Sequence, residues 1–457
     1  MSSAAPPSFG IAAVLNGAFR RTRLLCLTIA WITALLAIIL AQPSGPVATT
    51  GALAFGIFIL LTITRLRWDS LVILAVLAVV FWILVDSMPG PAALLAGGER
   101  MLIFAALLPT MALVRATAMT MPTVKETQQR LARLPDNAFS GGQQLAAHVF
   151  GGIINTGALA LLSAALPPDS DAARRRASAE AVIRGMVSSA AWSPFFIAFA
   201  IGQNFVAPAY AWMAIAIGTV SALLFTAGTL LAVNRDFAWG QLYLSLSCLR
   251  PVASRLLIVL LTVLGVALAF GLTALSAVVV VMPLLVVVQL VRHRDKAHII
   301  LRQTRDAMHS TADDLVVITA AMLVAFFVTQ EDSLAVLVGS FHAGQIPGWV
   351  ALVSTPVLMM LLSVVGIHPV ITSTALLATF SGGGADVHPA LLVQAHLIGW
   401  GAGTMSSIAS LSVQTCAGLY QVPARHLVFG HNMASGFSYA AGGGGLLAVA
   451  NLAMGYV

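Results

Sequence analysis

Charge is what this chain has least of. Of its 457 residues only 9% are Asp, Glu, Lys or Arg, against 59% hydrophobic. Soluble globular proteins carry about 25% charged residues. A chain this poor in charge cannot cover itself for water, so a soluble globular protein is excluded and a polytopic membrane protein is expected. Cysteine is nearly absent too. Cys26, Cys248 and Cys416 are scattered without metal or disulfide spacing and read as small apolar residues. The glycine runs 382–384 and 442–445 have no Lys-Ser or Lys-Thr behind them, so they are a turn and a close helix contact, not phosphate loops. With no ATP-binding domain in the chain, active transport requires a gradient or another subunit. No His/Asp/Glu cluster facing one side is found, so an enzyme is not expected.

What charge there is has a pattern. The net +7 signals basic cytoplasmic loops, not a nucleic-acid partner. Apolar spans are expected at 24–40, 47–64, 71–85 and 101–118, each near the length that crosses a hydrocarbon core. Arg20, Arg21 and Arg23 precede the first, Arg65 and Arg67 follow the second, and Lys125, Arg130 and Arg133 follow the fourth. The loops after the first and third spans hold one basic residue, Arg100, beside Glu99. The positive-inside rule then gives a cytoplasmic N-terminus in the plasma (inner) membrane. No cleavable signal peptide is expected, because residues 2–17 lack a basic residue and contain Pro6-Pro7.

Two later stretches are apolar but interrupted. Residues 145–166 break at Gly151-Gly152 and Asn155-Thr156-Gly157, and basic residues flank them on both sides, ending in Arg174-Arg175-Arg176. A segment that starts and ends on one side is a re-entrant hairpin, with its tip near Asn155-Thr156. Residues 181–205 follow, with Ser188-Ser189 and Ser193-Pro194, and read as a span that unwinds mid-membrane because proline removes a donor. Spans at 209–233 (returning to Arg235), 256–270 and 273–291 come next, with an interfacial segment at 241–255. A basic amphipathic linker runs through Arg305, and 315–329 goes outward. Residues 349–380 then break at Gly366, His368-Pro369 and Thr372-Ser373-Thr374, with flanks 341–348 and 381–386 free of Lys and Arg. That suits a hairpin entering from outside, with its tip at Thr372-Ser373-Thr374. Residues 389–419 break within 399–412, which carries Thr404, Ser406 and Ser407, and 427–450 crosses back. The fold class expected is all-α, with two inverted repeats, each holding a re-entrant hairpin and a broken transmembrane helix. Broken helices at matching places in two halves point to a secondary transporter's binding site.

Helix ends meeting at mid-membrane offer unpaired N–H groups and partial positive charge, which suits an anion. Candidate substrate contacts are Asn155, Thr156, Gly157, Ser188, Ser189, Ser193, Pro194, His368, Thr372, Ser373, Thr374, Thr404, Ser406 and Ser407. Asn155, Ser189, Ser373 and Ser407 also offer oxygens to a cation, and sodium is the only metal considered, with no cofactor otherwise. Single hydroxyls on membrane helices also serve packing; clusters beside Gly or Pro in two matching places favour a site. No Asp or Glu lies within the interrupted stretches, which disfavours a cation antiporter. His368 and His396 are the ionisable groups nearest the breaks, His148 lies toward the mouth of the first hairpin, and Arg184 reads as an interfacial anchor.

The order of hairpin with an Asn-Thr tip, unwound span, linker, hairpin and unwound span resembles the ion transporter superfamily. Within it, the pattern looks like the divalent anion–sodium symporters over about 146–420. Asn155-Thr156 matches their first tip, with Ile154 where serine would stand, and the second tip has no Asn. The resemblance implies an elevator: a transport domain sliding against a scaffold, commonly in a homodimer. The segments expected are 1–23 cytoplasmic, 24–118 scaffold, 119–140 cytoplasmic linker, 141–205 transport domain, 206–312 scaffold and inter-repeat linker, 313–347 helix and outer loop, 348–420 transport domain, and 421–457 C-terminal helix. The function expected is secondary transport of a small organic anion, a carboxylate, coupled to sodium or protons. A sodium/proton antiporter and a membrane subunit of a multi-component permease are the alternatives. The partners expected are the anion and the lipid bilayer.

Overall fold

The computed structural model describes residues 8–233, 238–329 and 346–456. Residues 1–7 of the N-terminal segment, Arg235, and 330–345 of the outer loop with most of the 341–348 flank lie outside the described residues. Lipid offers backbone N–H and C=O groups no partner, so apolar runs must satisfy them internally as helices. Regular structure among the described residues is helical apart from one parallel bridge, Ile346 to Ala385.

The first half holds α1 (Ser8–Ile39), α2 (Pro46–Ile63), α3 (Trp68–Leu84), α4 (Pro91–Met119), α5 (Pro122–Ala132), α6 (Asp136–Ile154), α7 (Gly157–Ser163), α8 (Ala172–Ser189), α9 (Ile197–Gln203) and α10 (Pro208–Val233). Then follow α11 (Trp239–Cys248), α12 (Arg250–Phe270), α13 (Ala274–Arg292), α14 (Ala297–Ser310) and α15 (Ala312–Val328). The last group is α16 (Gly348–Val364), α17 (Pro369–Thr379), α18 (Pro389–Ser406), α19 (Leu411–Tyr420), α20 (Ala424–Val428) and α21 (His431–Ala453). Among the described residues, six helices are long and apolar enough to cross a membrane: residues Gly17–Ile39 of α1, and α2, α4, α10, α12 and α13. The protein is an integral, multi-pass membrane protein. Trp68 and Trp82, each 79% exposed, stand near opposite ends of the short α3, about 21 Å apart at 1.5 Å per residue. That is shorter than the roughly 30 Å of a hydrocarbon core, so α3 alone does not reach both interfaces.

Several boundaries move from where the sequence puts them. α4 begins at Pro91, a position proline favours, so Glu99 and Arg100 lie inside a helix instead of a loop. The expected linker at 119–140 is largely helical, as α5 and the start of α6. α8 begins at Ala172, capped by the Asp171 carboxylate, which accepts from the Arg174 amide at 2.7 Å. The triple arginine therefore sits in its first turns.

α6 and α8 lie side by side and point the same way. Asp136 pairs with Arg174, Ser140 donates to the Ala177 carbonyl, and Arg184 donates to Gln144. Two parallel neighbours in sequence require the chain between them to return. It turns at Asn155-Thr156 and comes back as α7, and Gln143 donates across the hairpin to the Leu162 carbonyl. α16 and α18 repeat the arrangement, with Gly348 against Asp386, Gly399 against Pro356 and Gly403 against Ser363. α17 is the return helix between them. The α8–α9 unit crosses α18 in the opposite sense: Val187 faces Gly401, Ala198 faces His396, and Gly202 faces Val393. The two hairpins thus open toward opposite ends of the bundle. Each return helix packs on the far half of the other broken helix, α7 on α19 and α17 on α9.

Small residues allow these backbones to touch. A methyl at Gly185 would overlap the Gln144 carbonyl oxygen, and backbone cannot move aside as a flexible side chain can. Gly185→Ala should destabilise the protein by about 3 kcal/mol, the upper end of overpacking costs. Gly228→Ala on α10, where a methyl meets nothing within 4 Å, should stay within about 0.5 kcal/mol of the parent. Denaturant midpoints in detergent check both.

Candidate functional site

At the first hairpin tip Asn155 has φ 49° and ψ −128°, and Thr156 follows at φ −57° and ψ −17°. Those angles are close to the central pair of a type II′ turn, whose first position belongs to glycine. Asparagine tolerates the strain better than most residues, so a side-chain amide is held where glycine would be easier. Asn155 and Thr156 are half-buried and Gly157 is buried. Thr156 Oγ1 accepts from Arg115 Nη1 of α4 at 3.5 Å.

α8 ends at Ser189. Ser188 and Ser189 are buried, and their hydroxyls donate to the carbonyls of Gly185 and Met186 at 2.7 and 2.6 Å. Since the Ser188 proton is committed, its oxygen accepts from His148 Nδ1, 2.8 Å away. Ser193, in the break, donates to the Gly152 carbonyl of the hairpin and accepts from the Phe195 amide. Trp192 covers Gly152, and its buried Nε1 has no partner. Pro194 is half-buried in the same break.

The second tip is not at Thr372-Ser373-Thr374. The chain turns at 365–368, with Gly366 at φ 92°, and α17 begins at Pro369. His368 caps that helix, its Nδ1 accepting from the Val370 amide at 3.2 Å. The three hydroxyls lie one turn inside α17, and all are buried. Thr374 donates to the Val370 carbonyl, Thr372 Oγ1 has no partner, and Ser373 Oγ meets His396 Nδ1 at 2.9 Å. His396 is fully buried, and its Nε2 lies 2.8 Å from the Ala198 carbonyl. A carbonyl only accepts, so Nε2 carries the proton. The second break is also displaced: α18 stays helical through Gly399 and Thr404, and unwinding is confined to 407–410. Thr404 is half-buried, Ser406 is buried with an unpartnered Oγ, and Ser407 is extended and buried.

Freed carbonyls are answered from the opposite half. The Gln394 amide nitrogen of α18, in the orientation that satisfies it, donates to Ala191 and Ala214 at 3.1 and 3.2 Å. His396 serves Ala198. Gln394 carries no signal of its own in the sequence beyond being an amide in an apolar helix.

Arg184 is no interfacial anchor. It is 1% exposed and donates to Asn432 on α21 at 2.9 Å and to Gln144 on α6 at 3.3 Å. Glu180 lies one turn earlier and is 3% exposed in its side chain, bound by Arg176 at 2.7 Å and near Arg184 at 3.9 Å and His431 at 3.2 Å. α8 starts before the expected span, so this buried carboxylate belongs to the broken helix after all.

No family model matches the chain, and no curated protein does. Among solved structures it is similar to the crystal structure of the Alcanivorax borkumensis YdaH transporter, of unusual topology, at 13% identity. The match covers 85% of this chain and 97% of that one with a TM-score of 0.43. That degree of likeness decides neither fold nor function, and the geometry above stands alone. A cavity of about 140 Å³ lies between Arg100, Asn204 and Phe326, and one of about 520 Å³ beside Asp136 and Arg174. Neither includes a residue of either tip.

The orphan hydroxyl of Thr372 separates binding from folding. Thr372→Val loses no hydrogen bond, so stability should change by less than about 0.5 kcal/mol. His396→Leu removes two buried hydrogen bonds, to Ser373 Oγ and to the Ala198 carbonyl, and should cost about 1–3 kcal/mol. Thermal melts of the two variants in detergent check the contrast.

Proposed function

We propose that the protein is a secondary transporter of a small organic anion, a carboxylate, driven by a sodium or proton gradient. The observation that carries this reading is the twofold arrangement. Two parallel helix pairs, α6/α8 and α16/α18, each enclose a returning hairpin, and α8 and α18 run antiparallel. Two such units related by inversion would place their hairpins on opposite faces, as alternating access requires. Asn155, Thr156, Thr372 and Ser406 offer polar atoms where helices end, and the unpartnered hydroxyls of Thr372 and Ser406 are free for a ligand. The N-termini of α17 and α19, each within the second unit, add partial positive charge. Oxygens of Asn155, Ser189, Ser373 and Ser407 are the candidate sodium ligands. The hairpins and broken helices would move as one body against α1–α4 and their counterparts, in a homodimer with its N-terminus in the cytoplasm.

Glu180 does not favour the antiporter. It is neutralised by Arg176 and Arg184 and stands two turns before the break. The test is uptake by purified protein in liposomes of mono-, di- and tricarboxylates, with and without a sodium gradient. Asn155→Gly is the informative variant at the first tip, because glycine keeps the turn and removes only the amide. Its stability should hold or rise by about 1 kcal/mol as strain is released, while gradient-driven uptake is lost. Ser373→Ala should lose uptake too. If no carboxylate enters and a proton gradient collapses on adding sodium, the antiporter replaces this reading.

A further inference from the structure

Arg115 is the one charged residue between Met101 and Met119 of α4, an otherwise apolar run. Its neighbours Ala112, Leu113, Val114, Ala116 and Thr117 are buried, yet Arg115 is exposed. Among the described residues no carboxylate pairs with it; its one hydrogen-bond partner is Thr156 Oγ1 at the first hairpin tip. Gly157 makes the approach feasible, since a Cβ there would stand 3.0 and 3.1 Å from Arg115 Cγ and Cδ. Arg115 stands one turn before the end of α4, in a helix long and apolar enough to cross a membrane, where an arginine is expensive unless it meets a partner or water. A guanidinium that only snorkelled to headgroups would lean along lipid-facing surface, whereas this one reaches across to a different helical unit. It also belongs to the first four spans, while Thr156 belongs to the hairpin, so the contact joins the two bodies that alternating access would move apart.

We propose that Arg115 supplies the full positive charge of the substrate site: a carboxylate of the transported anion takes the place of Thr156 Oγ1 as the partner of the Arg115 guanidinium, beside the Asn155-Thr156 tip. This rests on the anion-transport reading and names the charge that reading lacks, since the tip itself offers only neutral groups. A planar guanidinium binds a carboxylate through two parallel N–H bonds, which lysine cannot reproduce. Because the arginine sits on the static helices, the site is complete only while the first tip is docked against α4, and moving the tip away weakens binding and releases the anion.

The experiment is concentration-dependent uptake in liposomes by wild type, Arg115→Gln and Arg115→Lys, using whichever carboxylate the wild type moves best, with melting temperature as the folding control. Loss of one charge-assisted contact predicts a half-saturation concentration at least about tenfold higher in Arg115→Gln, with Arg115→Lys between it and wild type. If the glutamine variant does not fold, the lysine variant, which keeps the charge and the stem, carries the test alone and must still show weakened half-saturation. Unchanged half-saturation in a folded variant while wild type transports a carboxylate overturns the role of Arg115 and leaves the function intact. A wild type that moves no carboxylate overturns both.

Discussion

Lipid supplies no hydrogen bonds, and the two broken helices are arranged around that fact. A helix that unwinds within a membrane leaves carbonyls and amides that must be met by protein. Here one partner comes from the other unit: Gln394 of α18 serves Ala191 in the break, while His396 of the same helix adds a contact to the Ala198 carbonyl in the first turn of α9. Within one unit, Ser193 reaches Gly152, and Gln414 reaches the Ile408 carbonyl at 2.7 Å in the second break. The pairing of the two halves is therefore a consequence of where each is unwound, and the close glycine contacts at Gly185 and Gly399 follow, because the partners must come within hydrogen-bond reach.

Not all breaks are fully answered. Trp192 Nε1, Thr372 Oγ1 and Ser406 Oγ are buried without partners. Buried polar groups left unpaired cost free energy; Trp192 Nε1 and Ser406 Oγ stand at the two breaks, and Thr372 Oγ1 lies one turn inside α17. Asn155 adds to the pattern: a strained backbone holds an amide where glycine would relieve it.

The architecture was largely legible in the sequence, and the site only in part. Charge poverty foretold an all-helical, multi-pass chain, and the chain turns at Asn155-Thr156, where Gly151-Gly152 and Gly157 punctuate it on both sides. The second tip was misread for a physical reason. Thr372-Ser373-Thr374 is the more polar cluster, but polarity does not turn a chain; Gly366 at positive φ and the His368 cap ahead of Pro369 do. Likewise Arg174-Arg175-Arg176, read only as a basic flank of the hairpin, falls in the first turns of α8, because Asp171 caps the helix ahead of them. Gln394 and Arg115 were invisible as partners, since each finds its role across more than forty residues of sequence.

The Glu180–Arg184 cluster explains which part of α8 stays rigid. Desolvating an ion pair is costly, so such a pair adds little net stability, but losing one member leaves a buried charge and is strongly unfavourable. Arg184 is held on one side by Gln144 of α6 and on the other by Asn432 of α21, while Glu180 reaches Arg176 and His431. Any displacement of α8 relative to α6 or α21 would break those contacts together. Those contacts tie α6, α8 and α21 into one packed unit. Motion that leaves the ion cluster intact has to carry α6, α8 and α21 as a body past α4, and the Arg115–Thr156 contact is where that sliding surface would open.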